Sequence, residues 1–346
     1  MIERSCRRWL LVAVALLWSA ALHAQSSFEV SPHAQLSTAA GPILPSLGQF
    51  VVAQQTGEFV VSYYFRRPAQ LVRYDSSGTM LKLYDLAGEG PGEFLYSPLI
   101  FAGGQDTLYA FERDRLVRLN RQLEHIETTR VEAPPVRTFA VLQNGTVISD
   151  NVSGHDGGTY TVTLVSSEGR ILRRLETEPG TVVGWTLVAP AWDGGFWTLR
   201  PNGSRLRRYS SGAVVIRSLE LMNDWFVPWT ERIEGEGSKV QPRPRHVGIC
   251  VVGNEMLVLL SWVADPNWTP EPVTRMGGFN PLAKDLNRYY DTVVELIDGR
   301  SGRVLDERRF DEAFMAVSGA GAFLYSAHED SDGHAVTRIW KVTVGN

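Results

Sequence analysis

The chain of 346 residues has only two cysteines, Cys6 and Cys250. Cys6 lies in a leader-like N-terminus, so a processed chain would keep Cys250 alone and form no internal disulfide. An exported protein of this kind must be stabilised by its own core. Excess positive charge is also missing: 34 Lys+Arg face 38 Asp+Glu, for a formal charge of -4. A dedicated nucleic-acid binder needs a basic footprint, so that class is excluded. After the leader no apolar run reaches the roughly 18 residues of a membrane span, and none of the chain keeps a sustained helical period. Glycine (32) and proline (18) are present at ordinary levels, without low-complexity stretches. With 44% hydrophobic residues the chain can bury a large core, which excludes wholesale disorder.

Residues 1–24 read as a secretory signal. Arg4, Arg7 and Arg8 precede the apolar run Leu10–Leu17, and small residues lead to a cleavage point near Ala24. The expected location is periplasmic or secreted, in a bacterium. Cys6 precedes the apolar run, which does not fit a lipidated cysteine. Cys250, inside the apolar run Val247–Val252, reads as an inert buried thiol.

Beyond the leader, short β-branched and aromatic runs alternate with turns such as Asp75-Ser76-Ser77-Gly78 and Ser166-Ser167-Glu168-Gly169. Equivalent strand ends at Tyr74, Leu119, Val165 and Tyr209 fall 45, 46 and 44 residues apart. Four candidate strands recur in each unit, and six units fit the chain. That pattern predicts one all-β domain over 25–346, a six-bladed β-propeller of four-stranded antiparallel blades. The sixth unit lacks its outermost strand. Ser27–Ser31 or Gln35–Thr38 is expected to supply it and so close the ring.

The most specific local signal is Gly88-Glu89-Gly90-Pro91-Gly92-Glu93-Phe94. Pro91 fixes its own φ and biases Gly90 toward an extended shape, Gly90 and Gly92 tolerate positive φ, and Phe94 suits a wedge between sheets. Glu89 and Glu93 read as solvent-facing or salt-bridged, and the glycine spacing is wrong for a dinucleotide loop. With Pro98, Leu108-Tyr109-Ala110 and Arg115-Leu116-Val117 following, residues 87–118 resemble the NHL-type repeats of six-bladed propellers, in particular exported bacterial members of poorly defined function. The resemblance implies the fold and fixes no substrate. It covers calcium-dependent lactonases, metal-dependent lyases and protein-binding modules alike. A metal-assisted hydrolase or lyase with its ion in the central channel is therefore one alternative, and a structural cell-envelope protein another. Asp193, Asp265, His246 and Glu312 are the residues nearest to inner-strand or elaborated positions, but they form no short ligand motif. No cofactor is assigned.

Propeller topology sends the blade-to-blade loops and the second-to-third-strand loops to one rim. The long insertions, 223–245 and 263–290, fall in those two classes, so that rim is the expected recognition face. They carry Trp225, Trp229 and Arg245, then Trp268 and Tyr289, as candidate ligand-binding residues. Such residues join apolar area to polar handles and suit a glycan, a peptide, an amphipathic small molecule or another envelope protein. The same aromatics would equally serve to pack long loops onto the ring.

Overall fold

The computed structural model describes residues 26–36, 49–63, 68–103, 107–132, 136–142, 145–150, 160–176, 186–229, 242–253, 255–269, 286–329 and 335–345. The expected signal segment, and the parts 230–241 and 270–285 of the two insertions, lie outside the described residues.

The first strand, β1 (Phe28–Leu36), takes no part in the first sheet. Blade 1 is built from β2 (Gln49–Ala53), β3 (Phe59–Tyr63), β4 (Gln70–Tyr74) and β5 (Met80–Asp85). Blade 2 follows with β6 (Leu99–Ala102), β7 (Leu108–Glu112), β8 (Arg115–Leu119) and β9 (His125–Arg130). Blade 3 has β10 (Val136–Leu142), β11 (Gly145–Asp150), β12 (Tyr160–Val165) and β13 (Ile171–Glu176). Blade 4 has β14 (Leu187–Pro190), β15 (Phe196–Leu199), β16 (Arg205–Tyr209) and β17 (Val215–Glu220). Blade 5 has β18 (Arg245–Val252), β19 (Met256–Ala264), β20 (Tyr290–Asp298) and β21 (Val304–Phe310). The last blade starts with β22 (Met315–Ala316). After β23 (Ser318–Gly319) it continues with β24 (Phe323–Glu329) and β25 (Ala335–Val344). Its fourth strand is β1, in the order β1-β25-β24-β22. The protein is a six-bladed β-propeller closed through its N-terminal strand.

One hairpin design is repeated between third and fourth strands. In blades 1 to 4, Gly78, Leu123, Gly169 and Ala213 each return an N–H to the residue three before it. All four have positive φ, from 58° to 89°. In blade 1 the Asp75 carboxylate adds bonds from the backbone N–H groups of Ser77 and Thr79. These turns set the period seen in the sequence.

The Gly90–Phe94 turn joins blades 1 and 2. Glu93 donates its N–H to the Gly90 carbonyl at 3.0 Å around Pro91 and Gly92. Gly92 has φ +76°, so Pro91 and Gly92 occupy the two central places of a type II turn. Gly90, preceding proline, is not among the positive-φ residues; only Gly92 inside this turn uses that freedom. The Glu93 carboxylate accepts from the Gly90 N–H at 2.8 Å. Phe94 is fully buried among Val60 and Leu71 of blade 1 and Leu108 and Val117 of blade 2.

Such apolar seams fill each gap between blades, and the first strands of neighbouring blades lie side by side around the axis. The closure differs from expectation in two details. Phe28–Ser31 of one proposed N-terminal segment and Gln35–Leu36 of the other belong to one continuous strand, Phe28–Leu36, whose register shifts between Pro32 and Ala34, while residues 37 and 38 lie outside the described residues. A bulge there absorbs the proline, which cannot donate to the ladder. The inner strand of blade 6 is short β22, which pairs with β24, and it is followed by a strand not expected from the sequence, β23, which pairs in parallel with β2 of blade 1. The ring is therefore joined at its outer edge and again beside its axis.

Candidate functional site

Blade 5 carries the rim. β19 and β20 have nine residues each, where their counterparts in blade 4 have four and five. The added length, Trp262–Ala264 and Tyr290–Thr292, brings the hairpin to the edge from which both insertions leave. Alternation along a strand gives this edge two sides. Val258 and Leu260 pack toward blade 6, while Leu257 and Leu259 pack toward blade 4.

On the blade 6 side, Trp262 and Tyr290 stack with centroids 5.1 Å apart, and the Trp262 indole N–H donates to the Phe314 carbonyl at 2.8 Å. Arg245 lies over the same Tyr290 ring at 5.5 Å and donates to its hydroxyl at 3.0 Å. A short 3-10 turn, Leu286–Arg288, delivers Tyr289, which is 2% exposed and part of this cluster. Trp268 packs on the cluster from a turn held by Asp265, whose carboxylate accepts from the Asn267 N–H. Trp268 is half-buried, and its buried indole N–H has no hydrogen-bond partner among the described residues.

On the blade 4 side, the loop after β17 brings in Asn223, Trp225, Phe226 and Trp229. The Trp229 indole donates to the Pro244 carbonyl at 2.9 Å, and Arg243 lies over its ring. The Trp225 indole donates to Glu307 Oε2 at 3.0 Å. Phe226 stacks on His246 at 4.1 Å, and His246 Nδ1 meets Ser261 Oγ at 2.7 Å. Both His246 and Glu295 are 0% exposed. Burial pushes the His246 imidazole down to about 3 and the Glu295 carboxyl up to about 8, the latter helped by Glu307 across the β20–β21 pair. His246 is therefore neutral and Glu295 is held protonated near neutral pH.

The structure thus gathers Arg245, Tyr289 and Trp268 on one side of blade 5 and Trp225 and Trp229 on the other. Glu295, Asn223, Glu307 and Ser261 were not singled out from sequence. A signal existed for Glu295, the one charged residue in the run Thr292–Ile297.

The residues considered for a metal do not converge. Asp193 sits in the β14–β15 turn at the opposite rim, bound to Arg208 and to the Gly195 N–H. Asp265 organises its own turn, and His246 and Glu312 belong to opposite sides of blade 5. Among the described residues no group of three or more His, Cys, Asp or Glu is placed to hold a metal ion. Glu312 meets His328 Nε2 at 3.3 Å, and Ser326 Oγ meets the same nitrogen at 3.0 Å. A nucleophilic relay needs carboxylate and hydroxyl on different ring nitrogens, and Ser326 is fully buried, so this trio is structural. Burial opposes ionisation of Glu312, but its bonds to His328 and Ser326 outweigh that and keep its carboxyl below the ordinary range. Cys250 packs in the seam between blades 5 and 6, and burial pushes its thiol up to about 12, far from an activated nucleophile.

No family model and no curated protein matches the chain. Solved structures do. A member of the DUF4221 family from Bacteroides vulgatus shares 12% identity, with 93% of this chain and 99% of that chain covered at a TM-score of 0.64. A candidate exported protein from Bacteroides fragilis shares 10% identity over 92% of this chain and 96% of that chain, with a TM-score of 0.56. The fold is shared. At such identities the likeness extends to the ring and transfers no site residue.

Proposed function

We propose that this protein is an exported binding or interaction module that recognises a glycan, a peptide, an amphipathic small molecule or another envelope protein on the insertion-bearing rim of blade 5. The residues proposed to form the surface are Trp225, Trp229, Trp268 and Arg245, with Tyr289 as the buried support beneath Trp268. The observation that carries this reading is Trp268: a half-buried indole packed on the cluster of Trp262, Tyr289 and Tyr290, its N–H without an acceptor among the described residues. An unpaired buried donor costs about 1–3 kcal/mol, which a ligand hydroxyl or carbonyl would recover. The leader-like residues 1–24 and the candidate exported protein of the same fold support export. The Gly88–Phe94 turn supports kinship with NHL-type propellers.

Glycan and peptide arrays test the proposal, followed by titration of the best ligand against Trp268→Ala and Trp225→Ala. Loss of a hot-spot aromatic is expected to weaken binding by at least about tenfold. Undiminished affinity in both variants removes this surface from consideration.

A further inference from the structure

The loop that leaves blade 4 is fastened to blade 5 at two glutamates. Asn223 Nδ2 donates to Glu295 Oε2 at 3.1 Å, and the Trp225 indole donates to Glu307 Oε2 at 3.0 Å. The two acids stand opposite each other on β20 and β21, and their side chains are hydrogen-bonded to one another. Such a bond needs one proton in the pair, since an ionised carboxylate only accepts. Glu295 is fully buried, whereas Glu307 is exposed on the outermost strand. The buried partner therefore keeps the proton and donates it outward. Glu307 thus accepts from Glu295 on one side and from Trp225 on the other.

Loss of that proton falls on Glu307 and Trp225. Asn223 donates to Glu295 in either state, and more strongly to the ionised acid. Phe226 is buried and stacked on His246 at 4.1 Å. Between these anchors Trp225 is half-buried and edge-on to Phe226 at 5.7 Å. No cation stands ready to neutralise two carboxylates. Among the described residues neither glutamate forms an ion pair: Arg308 reaches Asp306 and Arg309 reaches Asp291. The other elements packed around Glu295 do not supply one. β19 is opposite with Leu259, and blade 4 brings Leu206 and Leu221 to the seam. Arg205 of β16 is bound to Glu220, Arg217 of β17 turns to Glu255 and the Gly299 carbonyl, and Asp224 is exposed. His246, on β18 beyond β19, is neutral.

We propose that the Glu295–Glu307 pair is a proton-operated latch on Trp225. With Glu295 protonated, its donated bond holds the Glu307 carboxylate within reach of the Trp225 indole. When that proton passes to water, the O–H···O bond is lost and two like charges oppose each other across the strand pair. Glu307, on the edge strand, swings into solvent. Trp225 then loses its acceptor, while Asn223 and Phe226 keep the loop in place. The latch is closed on the acid side and open on the alkaline side. Burial, and next the charge of Glu307, push the Glu295 carboxyl up to about 8 against the opposing bond from Asn223, so the change falls at mildly alkaline pH. Control of the rim surface through Trp225 rests on the binding reading above; the latch itself does not.

Fluorine NMR of the whole chain labelled with 5-fluorotryptophan tests this, with spectra taken from about pH 6 to about pH 10. The Trp225 line is identified by its loss in Trp225→Phe, and the Trp268 line by its loss in Trp268→Phe. The Trp225 line is expected to shift in a single transition with its midpoint near 8, while the Trp268 line does not follow it. Glu295→Gln keeps a donor for Glu307 and has no carboxyl proton to lose, so its Trp225 line should stay at the acid-side position throughout. Glu307→Gln removes the like charge and should move the midpoint to lower pH. Thermal melts establish that each variant is folded, and either variant decides the question should the other fail to fold. The proposal is overturned by a Trp225 line that does not move, by a transition that persists in Glu295→Gln, or by an unchanged midpoint in Glu307→Gln. A transition shared equally by the Trp268 line would also overturn it, since that would be a change of the whole blade. None of these readouts uses a rim ligand, so failure of the latch and failure of the binding surface are distinguishable.

Discussion

Glu295 occupies a strand position whose neighbours are apolar, and its protonation links stability to pH. The ordinary value of 4.5 rises to about 8 in the folded chain, chiefly through burial. The folded state therefore holds more protons than the unfolded state between those values. The stability contributed by the neutral acid is complete below 4.5, declines as pH rises and is gone above about 8. Glu295→Gln should accordingly gain on the parent chain through that window, reaching on the order of 3 kcal/mol at the alkaline end. Urea melts at several pH values read this directly; a pH-independent difference would show that Glu295 ionises normally. Sequence reasoning alone could see one charge in an apolar run. It could not see Asn223, brought from another blade, or Glu307, fixed by the register of β20 and β21. Cys250 was legible because an apolar run of that length has only one use for a thiol.

At the scale of elements, the four-residue turns were readable as Asp, Asn, Ser and Gly punctuation, while the contacts they make were not. Gly78 shows the difference. Its φ is +89°, and a methyl group on it would overlap the carbonyl of Gln35 in β1. Gly169 likewise abuts Arg130 at the end of β9, and Gly302 abuts Leu219 in β17. In each case the turn rests on the outermost strand of the preceding blade, so β1 takes the place that β9 and β17 take elsewhere. Gly78→Ala should cost about 2–4 kcal/mol, combining left-handed strain with displacement of the closing strand. Gly253→Ala is the matched control: its φ is +61° and no atom of the described residues lies within 4 Å of the added methyl group, so only about 1 kcal/mol is expected. Equal losses in denaturant melts would mean that Gly78 has no steric part in closure. The insertions resisted sequence reading for a related reason. Composition names the aromatic residues, but only the nine-residue strands of blade 5 decide that Tyr289 turns inward while Trp268 stays half-buried at the rim.

The whole ring depends on two joints made by distant parts of the chain. Phe28 and Leu36, at the two ends of β1, are 2% and 3% exposed, and burying each contributes roughly 1.5–3 kcal/mol. The Phe28 N–H also reaches Asp306 of blade 5 at 3.1 Å. A chain starting at residue 37 loses these contacts and leaves β25 with an open edge. It should unfold at markedly lower denaturant and associate through that edge. Adding residues 26–36 after Gly345 in the shortened chain should restore the melt, because Gly345 donates to the Ser27 carbonyl at 2.8 Å and the two ends already meet. Failure of this permuted chain to recover would assign β1 a role other than closure. The period of about 45 residues made six blades legible, but the inner joint was not. β23 is two residues long, and no pattern in Ser318-Gly319 announces a parallel pairing with Val52 and Ala53.

That outer joint also sets an order of events. β1 emerges during synthesis before all six inner hairpins of the ring, well ahead of its partner β25. While the strands between them are made, and during any passage across a membrane, the strand waits with both edges unsatisfied. Pairings of such sequence separation form slowly, and waiting edges invite association with other chains. The bulge at Pro32, which spoils one stretch of the ladder, makes β1 a poor template for strangers while it waits. A strand chosen for patience, rather than for strength, is what completes the circle.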